Sequence, residues 1–329
     1  MRHPRPHCWP AGGRRGSRLL TLAGNAGSGT LVATDMSDEL VSGLLKKTDL
    51  RVVLASTTEL SRQARATHHT APAAAVLLSQ ALTAAALMGA LQKNDSRINI
   101  QLECDGPLRG LFVDGDTSGL VRGYVKNTLV EYAGGDGQYH WRPVLGNKGF
   151  LSVLRDLGGG EYYRSSVDLE AFDLAGDLER YFRQSDQLPS HVMLAQLPEG
   201  GDAEPLGHVA GLLVQPLPSA DMAAFAELGE RLRRDFAPAL QAHGAEGGAA
   251  VLRALLPEED FEVMSRYPLR FGCSCSKDRV LRALLAMGRE ELTDLLEKEG
   301  QAEATCQFCT TRYVIPGDEI RGMLERGAI

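Results

Sequence analysis

The chain lacks the cysteine density of a disulfide-stapled protein. Its six cysteines are spread over 329 residues, and no secretory signal is visible, so reduced thiols or a bound metal are the expected state. The Gly-x4-Gly-Lys-Ser/Thr arrangement occurs nowhere, which excludes the phosphate-loop mode of nucleotide binding. No apolar run approaches the length of a membrane span, so a soluble protein without a membrane partner is expected. Histidines and carboxylates show no catalytic spacing, and an enzyme is not expected. A basic surplus is also missing. The formal net charge is −7, and because residues 1–35 hold five Arg against one Asp, the remainder carries about −11. Residues 265–329 balance ten basic against ten acidic side chains. A neutral tail on an acidic body would meet repulsion at a phosphate backbone, with little counterion release to gain, which argues against nucleic acid as a partner.

What is present is concentrated near the end. Four of the cysteines form Phe271-Gly-Cys273-Ser-Cys275-Ser276 and Cys306-Gln-Phe308-Cys309, with thirty residues between Cys275 and Cys306. Cys-x-Cys and Cys-x-x-Cys knuckles joined by a loop long enough to fold supply the four sulfurs of one tetrahedral Zn2+ per chain. No histidine follows His243, so the site would be all sulfur. The bland alternative is two reduced pairs without metal. Zinc holds its cysteines as thiolates, the species that oxidants attack, so the cluster reads as a redox sensor. Oxidation leaves Cys273–Cys275 and Cys306–Cys309 as the pairs closest in sequence. Each can form a local disulfide if its Cα atoms come within about 4.4–6.8 Å, and a disulfide sulfur is a poor zinc ligand. Cys104, on the predicted apolar face of a strand, reads as a small buried hydrophobe. Cys8 beside His7 has no second pair to complete a metal site.

The chain divides into four stretches. Residues 1–35, rich in Arg, Gly and Pro, read as a disordered leader or as translation called upstream of a start at Met36. Residues 36–218 read as an α+β body. Val52–Leu54 predicts a strand, and Ser56-Thr-Thr-Glu59 a capping box opening a helix to about Ala66. An Ala-rich helix from about Pro72 to Leu91 should be buried on most sides. Strands are predicted around Ile98–Cys104, Val121–Val125, Tyr162–Val167, His191–Leu197 and His208–Val214, with a helix through Leu174, Leu178 and Phe182. Gly106-Pro107, Asp114-Gly115 and Gly134–Gly137 read as turns. His68 and His69, between two helices, receive no role.

Residues 219–265 predict a metastable helical linker. Phe225, Leu228, Leu232 and Phe236 form an apolar stripe, while Gly229 and Pro238 weaken the helix. Residues 266–329 predict a small zinc and redox-switch domain, in which metal binding would supply on the order of 10–16 kcal/mol of folding free energy. Loss of the metal is expected to remove the surface on which the linker helices pack, exposing apolar surface for other exposed apolar chains.

The sequence resembles the redox-regulated heat-shock chaperonin family of 33 kDa, from about Met36 to Leu324. The most specific correspondence is the pair of cysteine knuckles together with Tyr313. Ser37–Leu40 through Glu59, Asp156-Leu157-Gly158, and Glu179 to Pro189 support it. The resemblance implies an N-terminal α+β core, a helical linker and a C-terminal zinc domain. It further implies an ATP-independent holdase, inactive when reduced and zinc-bound. When oxidised it would dimerise and bind unfolding client proteins in the bacterial cytoplasm. Two other classes fit the cysteines: a zinc-ribbon module on an enzyme or RNA-related protein, and a protein whose zinc is purely structural.

Overall fold

The computed structural model describes residues 38–93, 96–131, 140–158, 161–199, 204–256 and 260–325. The leader, Cys8 and the turn expected at Gly134–Gly137 lie outside the described residues. The chain opens with β1 (Glu39–Leu45), β2 (Leu50–Ser56), α1 (Thr58–His68) and α2 (Pro72–Gly89). There follow β3 (Arg97–Cys104), β4 (Gly110–Asp116), β5 (Leu120–Val125), a one-turn α3 (Arg142–Leu145), β6 (Gly149–Gly158) and β7 (Glu161–Asp168). Then come α4 (Leu174–Gln184), β8 (His191–Leu197), β9 (His208–Pro216), α5 (Met222–His243) and α6 (Gly248–Leu255). The last third holds β10 (Phe261–Pro268), β11 (Arg270–Phe271), α7 (Lys277–Met287), α8 (Arg289–Glu299), β12 (Gln301–Thr305), β13 (Arg312–Pro316) and α9 (Gly317–Glu325).

These elements build an α+β protein with two large sheets, ordered β10-β1-β2-β9-β8 and β11-β5-β4-β3-β6-β7, and a separate β12-β13 hairpin. The central strands β2 and β9 of the five-stranded sheet are buried on both faces, which explains why they read as nearly continuous apolar runs, while the edge strand β10 is largely exposed. Alternate side chains go to opposite sides. Leu40, Val53, Ala55 and Leu213 join the cluster around α2. Val41, Val52, Leu54, Leu212 and Val214 join the cluster formed with α5 and α6.

Helix α2 lies between the two sheets, and all of its residues except Pro72 are buried. Its length and composition would suffice to cross a membrane, which corrects the expectation that no run approaches that length. Its apolar surface is consumed by the two sheets that sandwich it. Gly115 makes one of these contacts possible, since a Cβ there would lie 2.3 Å from the Ala85 carbonyl oxygen. Asp114-Gly115 is therefore the interior of β4 and not a turn.

The capping box does not form. Thr57 makes no side-chain cap; its hydroxyl meets that of Thr83 on α2 at 2.6 Å. The amides of Glu59 and Leu60 instead donate to the carboxylate of Asp38, at 3.0 and 2.5 Å. The cap comes from the start of β1 because β1 and β2 are paired and bring Asp38 back to the helix N-terminus. Burial of this carboxyl outweighs those amides and raises its pKa to about 6.

The stripe residues Phe225, Leu228, Leu232 and Phe236 are all buried. They pack on β1, β2, β8 and β9, which corrects the expectation that the C-terminal module supplies their surface. The sheet face is the larger apolar area within reach, and the module has a separate core of its own. Helix α5 continues through Pro238 to His243. Gly229 proves to be a packing notch: a Cβ there would lie 2.2 Å from the His191 ring. That ring stacks on Phe225 at 4.2 Å. Arg233 fastens the same turn, reaching both Glu179 oxygens at 2.7 and 2.8 Å. A boundary at 265/266 falls inside β10, an edge strand paired along the whole of β1.

Candidate metal centre

Strand β11 runs parallel to the start of β5, and the Gly272 amide donates to the Val121 carbonyl at 3.0 Å. This pairing delivers Cys273 and Cys275 to the margin of the six-stranded sheet. Ser276 then caps α7, its hydroxyl accepting from the Arg279 amide, so Cys275 lies just ahead of a helix N-terminus, where a thiolate is favoured. The second knuckle is the loop of the β12–β13 hairpin, whose register runs from Gln301↔Pro316 to Thr305↔Arg312. The Thr310 amide donates to Cys306 O at 2.8 Å, and Thr310 takes a left-handed φ of 58° to close the loop.

All four sulfurs of Cys273, Cys275, Cys306 and Cys309 lie within 4.8 Å of one another. Across the knuckles, Cys273 Sγ and Cys306 Sγ are 3.6 Å apart, and Cys275 Sγ and Cys309 Sγ 3.3 Å. A tetrahedral ion with Zn–S bonds of about 2.3 Å sets its sulfurs about 3.8 Å apart, so the donor set fits such a metal.

The sulfurs perturb one another's acidity as a shared site should. The Tyr313 hydroxyl, 3.0 Å from Cys275 Sγ, favours its thiolate, but burial and the neighbouring sulfurs outweigh this and push the thiol up to about 12. For Cys309, burial is outweighed in the other direction. The hydroxyl and backbone of Thr311 and the adjacent sulfurs bring it down to about 7. Burial raises Cys306. A central dication would stabilise all four as thiolates.

Residues far upstream in sequence complete the surroundings. Arg122 on β5 directs Nη1 toward Cys273 Sγ at 3.5 Å, while its Nε and Nη2 reach Asp114 Oδ2 at 2.7 and 2.6 Å. The same guanidinium lies 4.1 Å from the centre of the Phe308 ring. Phe308 in turn packs edge-on against Phe112 and Tyr124, at 5.7 and 5.4 Å. His68, given no role above, ends α1 half-buried with its ring 6.4 Å from that of Phe271, and burial lowers its pKa. Neither Arg122 nor Asp114 stands at any recognisable spacing from the cysteines. The one available signal was Phe308, an aromatic side chain placed between two candidate ligands. Cys104 is half-buried against the central cluster, remote from the other thiols in role, and burial raises its pKa.

A mixed helix-and-sheet body carrying a C-terminal cluster of four thiols able to hold a metal ion is the class that fold and site define. Residues 38–316 match the family described as Hsp33 protein, and the chain belongs to that family. It is 35% identical over 281 residues to the 33 kDa chaperonin of Geobacter sp. (strain M21), covering 85% of this chain and 94% of that one. The 33 kDa chaperonin of Synechococcus sp. (strain JA-2-3B'a(2-13)) is 34% identical over 314 residues, covering 94% and 96%. The crystal structure of the 33 kDa chaperonin of Thermotoga maritima matches with a TM-score of 0.75 at 28% identity, over 89% of this chain and 99% of that one.

Proposed function

We propose that the protein is a redox-regulated, ATP-independent holdase that binds unfolded or partly folded client proteins in the cytoplasm under oxidative stress. Cys273, Cys275, Cys306 and Cys309 hold one Zn2+ in the resting state, and the ion keeps the four sulfurs as thiolates and the knuckles closed. On oxidation, Cys273 pairs with Cys275 and Cys306 with Cys309. Each thiolate pair gives two electrons to one hydrogen peroxide, which takes up two protons and leaves as two waters, while zinc departs as the ion. The oxidised chain dimerises. The observation that carries this reading is the sulfur cluster itself, with edges of 3.3 and 3.6 Å, in a module whose own buried core is six residues.

In this proposal residues 36–218 are the core, 219–265 the releasable linker and 266–329 the switch. The route between them is strand β10. Arg266 on β10 donates to Glu39 Oε2 at 2.5 Å, and the other oxygen of Glu39 accepts from the Ala249 amide in α6 at 3.3 Å. One carboxylate thus ties the strand leading from the cysteines to the first turn of a linker helix. Unfolding of the module frees β11 and β10 from their sheet margins. α6 then loses that tie, and Val41, Leu252, Leu256 and Phe261, which line one groove, become exposed to clients.

The test measures zinc content and thiol accessibility before and after peroxide with mild warming, alongside suppression of client aggregation. One zinc per chain should leave as four thiols disappear and suppression begins. Zinc loss with clients still aggregating at the control rate would remove the chaperone reading and leave the sensor.

A further inference from the structure

Metal chemistry gives no reason for an aromatic residue between Cys306 and Cys309, yet Phe308 points out of the module into a prepared seat on the six-stranded sheet. Two walls are Phe112 and Tyr124, cross-strand partners on β4 and β5, stacked at 5.9 Å. The third is Arg122. Its guanidinium is fixed over the ring by Asp114, and Asp114 Oδ1 accepts from Asn99 Nδ2 at 2.6 Å. Register places Asn99 and Gln101 of β3 beside Asp114 and Phe112 on this outward face, so the seat is an isolated aromatic slot in polar surroundings. A ring bounded by two aromatic side chains and a cation is recognised by its π-system, through edge-to-face packing and cation–π attraction.

We propose that this slot is a client-anchoring site for aromatic side chains of unfolded polypeptides, and that Phe308 is the chain's own plug. The inference rests on the holdase reading above. Phe308 is held in place by the knuckle on either side of it. The sulfurs of Cys306 and Cys309, within 4.8 Å of each other, must close to about 2.05 Å in a disulfide, which rebuilds the loop carrying the ring. The oxidation that opens the module therefore also withdraws the plug, and Phe112 and Tyr124, both half-covered, become available.

The experiment measures fluorescence anisotropy of two labelled disordered peptides, one containing Phe and Trp and one with those residues replaced by Leu. The full-length proteins are wild type, Phe308→Ala and Tyr124→Ser, with zinc content and circular dichroism checked for each. Reduced, zinc-loaded Phe308→Ala should bind the aromatic peptide about tenfold more tightly than reduced wild type. Oxidised Tyr124→Ser should lose about tenfold for the aromatic peptide relative to oxidised wild type, and little for the leucine peptide. If Phe308→Ala fails to retain zinc, the Tyr124→Ser arm decides alone. Equal binding of both peptides by oxidised Tyr124→Ser and wild type, with aggregation suppression intact, overturns the slot and leaves the holdase standing. Oxidised wild type that neither binds peptide nor suppresses aggregation overturns the holdase reading, and the slot with it.

Discussion

The layer of α5 and α6 and the C-terminal module are both helical additions to the two-sheet body, but they are held by opposite means. α5 and α6 share a cluster of nineteen buried residues with one face of the five-stranded sheet. Among the described residues the module's own buried cluster holds six, from Leu284 to Leu324, and the module meets the six-stranded sheet through β11, Phe308 and Arg122. A hydrophobic layer of the first size is stable without help, whereas a core of the second size ordinarily requires a metal or a covalent link. On the proposed reading, the difference assigns oxidant sensitivity to the part with little core, and the linker is released only through what that part holds.

The largest effect that can break this comparison is removal of the metal. Cys306→Ser, or chelation of the wild type, should unfold residues 272–325, because zinc held by these four sulfurs would supply on the order of 10–16 kcal/mol. Hydrogen exchange should show those amides losing protection while β2, β9 and α2 keep theirs. Protection of α8 and β13 persisting without metal would mean that six buried residues suffice.

The second effect sharpens the other half. Leu232 is fully buried in the middle of the α5 stripe. Leu232→Asp places a carboxylate there, at a cost on the order of 3–5 kcal/mol. Residues 219–256 should become protease-sensitive in reducing buffer with zinc still bound, and basal holding should rise. Unchanged cleavage and unchanged holding would show that the stripe is not a latch.

Local pattern made much of this legible. The period-two run of β3, the apolar steps in α5 and the cysteine spacing all report contacts within one element or one loop. Two readings failed, and a third feature gave no signal, where the deciding contact was distant. The capping residue of α1 is Asp38, brought back by strand pairing. Asp114-Gly115 resembles a turn, but Gly115 is a close approach to α2 and Asp114 a partner of Arg122. The seat of Phe308 is assembled from β4 and β5, nearly two hundred residues upstream. The placement of α5 failed for a related reason. An amphipathic stripe states that a helix needs a neighbour, but not which one.

The smallest effect concerns pH and tests whether α5 has a second, thiol-independent fastening. Arg233 Nη1 lies 3.2 Å from His191 Nδ1; since the guanidinium can only donate, Nδ1 must accept and carry no proton. Protonation there would break that bond and set an imidazolium beside Arg233, against the attraction of Glu179 on α4 and Glu230 on α5. Burial first, and Arg233 second, hold the His191 pKa below the ordinary 6.5. With the docked value below the undocked one, the undocked form takes up its proton first as pH falls through about 6.5. Docking of α5 is therefore fully supported above that pH and weakens below it, until the docked histidine is itself protonated. Hydrogen exchange of α5 amides, compared between pH 7.5 and 5.5 in reduced zinc-loaded protein and in His191→Phe, should show acid-enhanced opening only where the imidazole is present. Equal acid sensitivity in the two would assign the effect to other groups, and would leave α5 held by its apolar face and the Arg233–Glu179 pair alone.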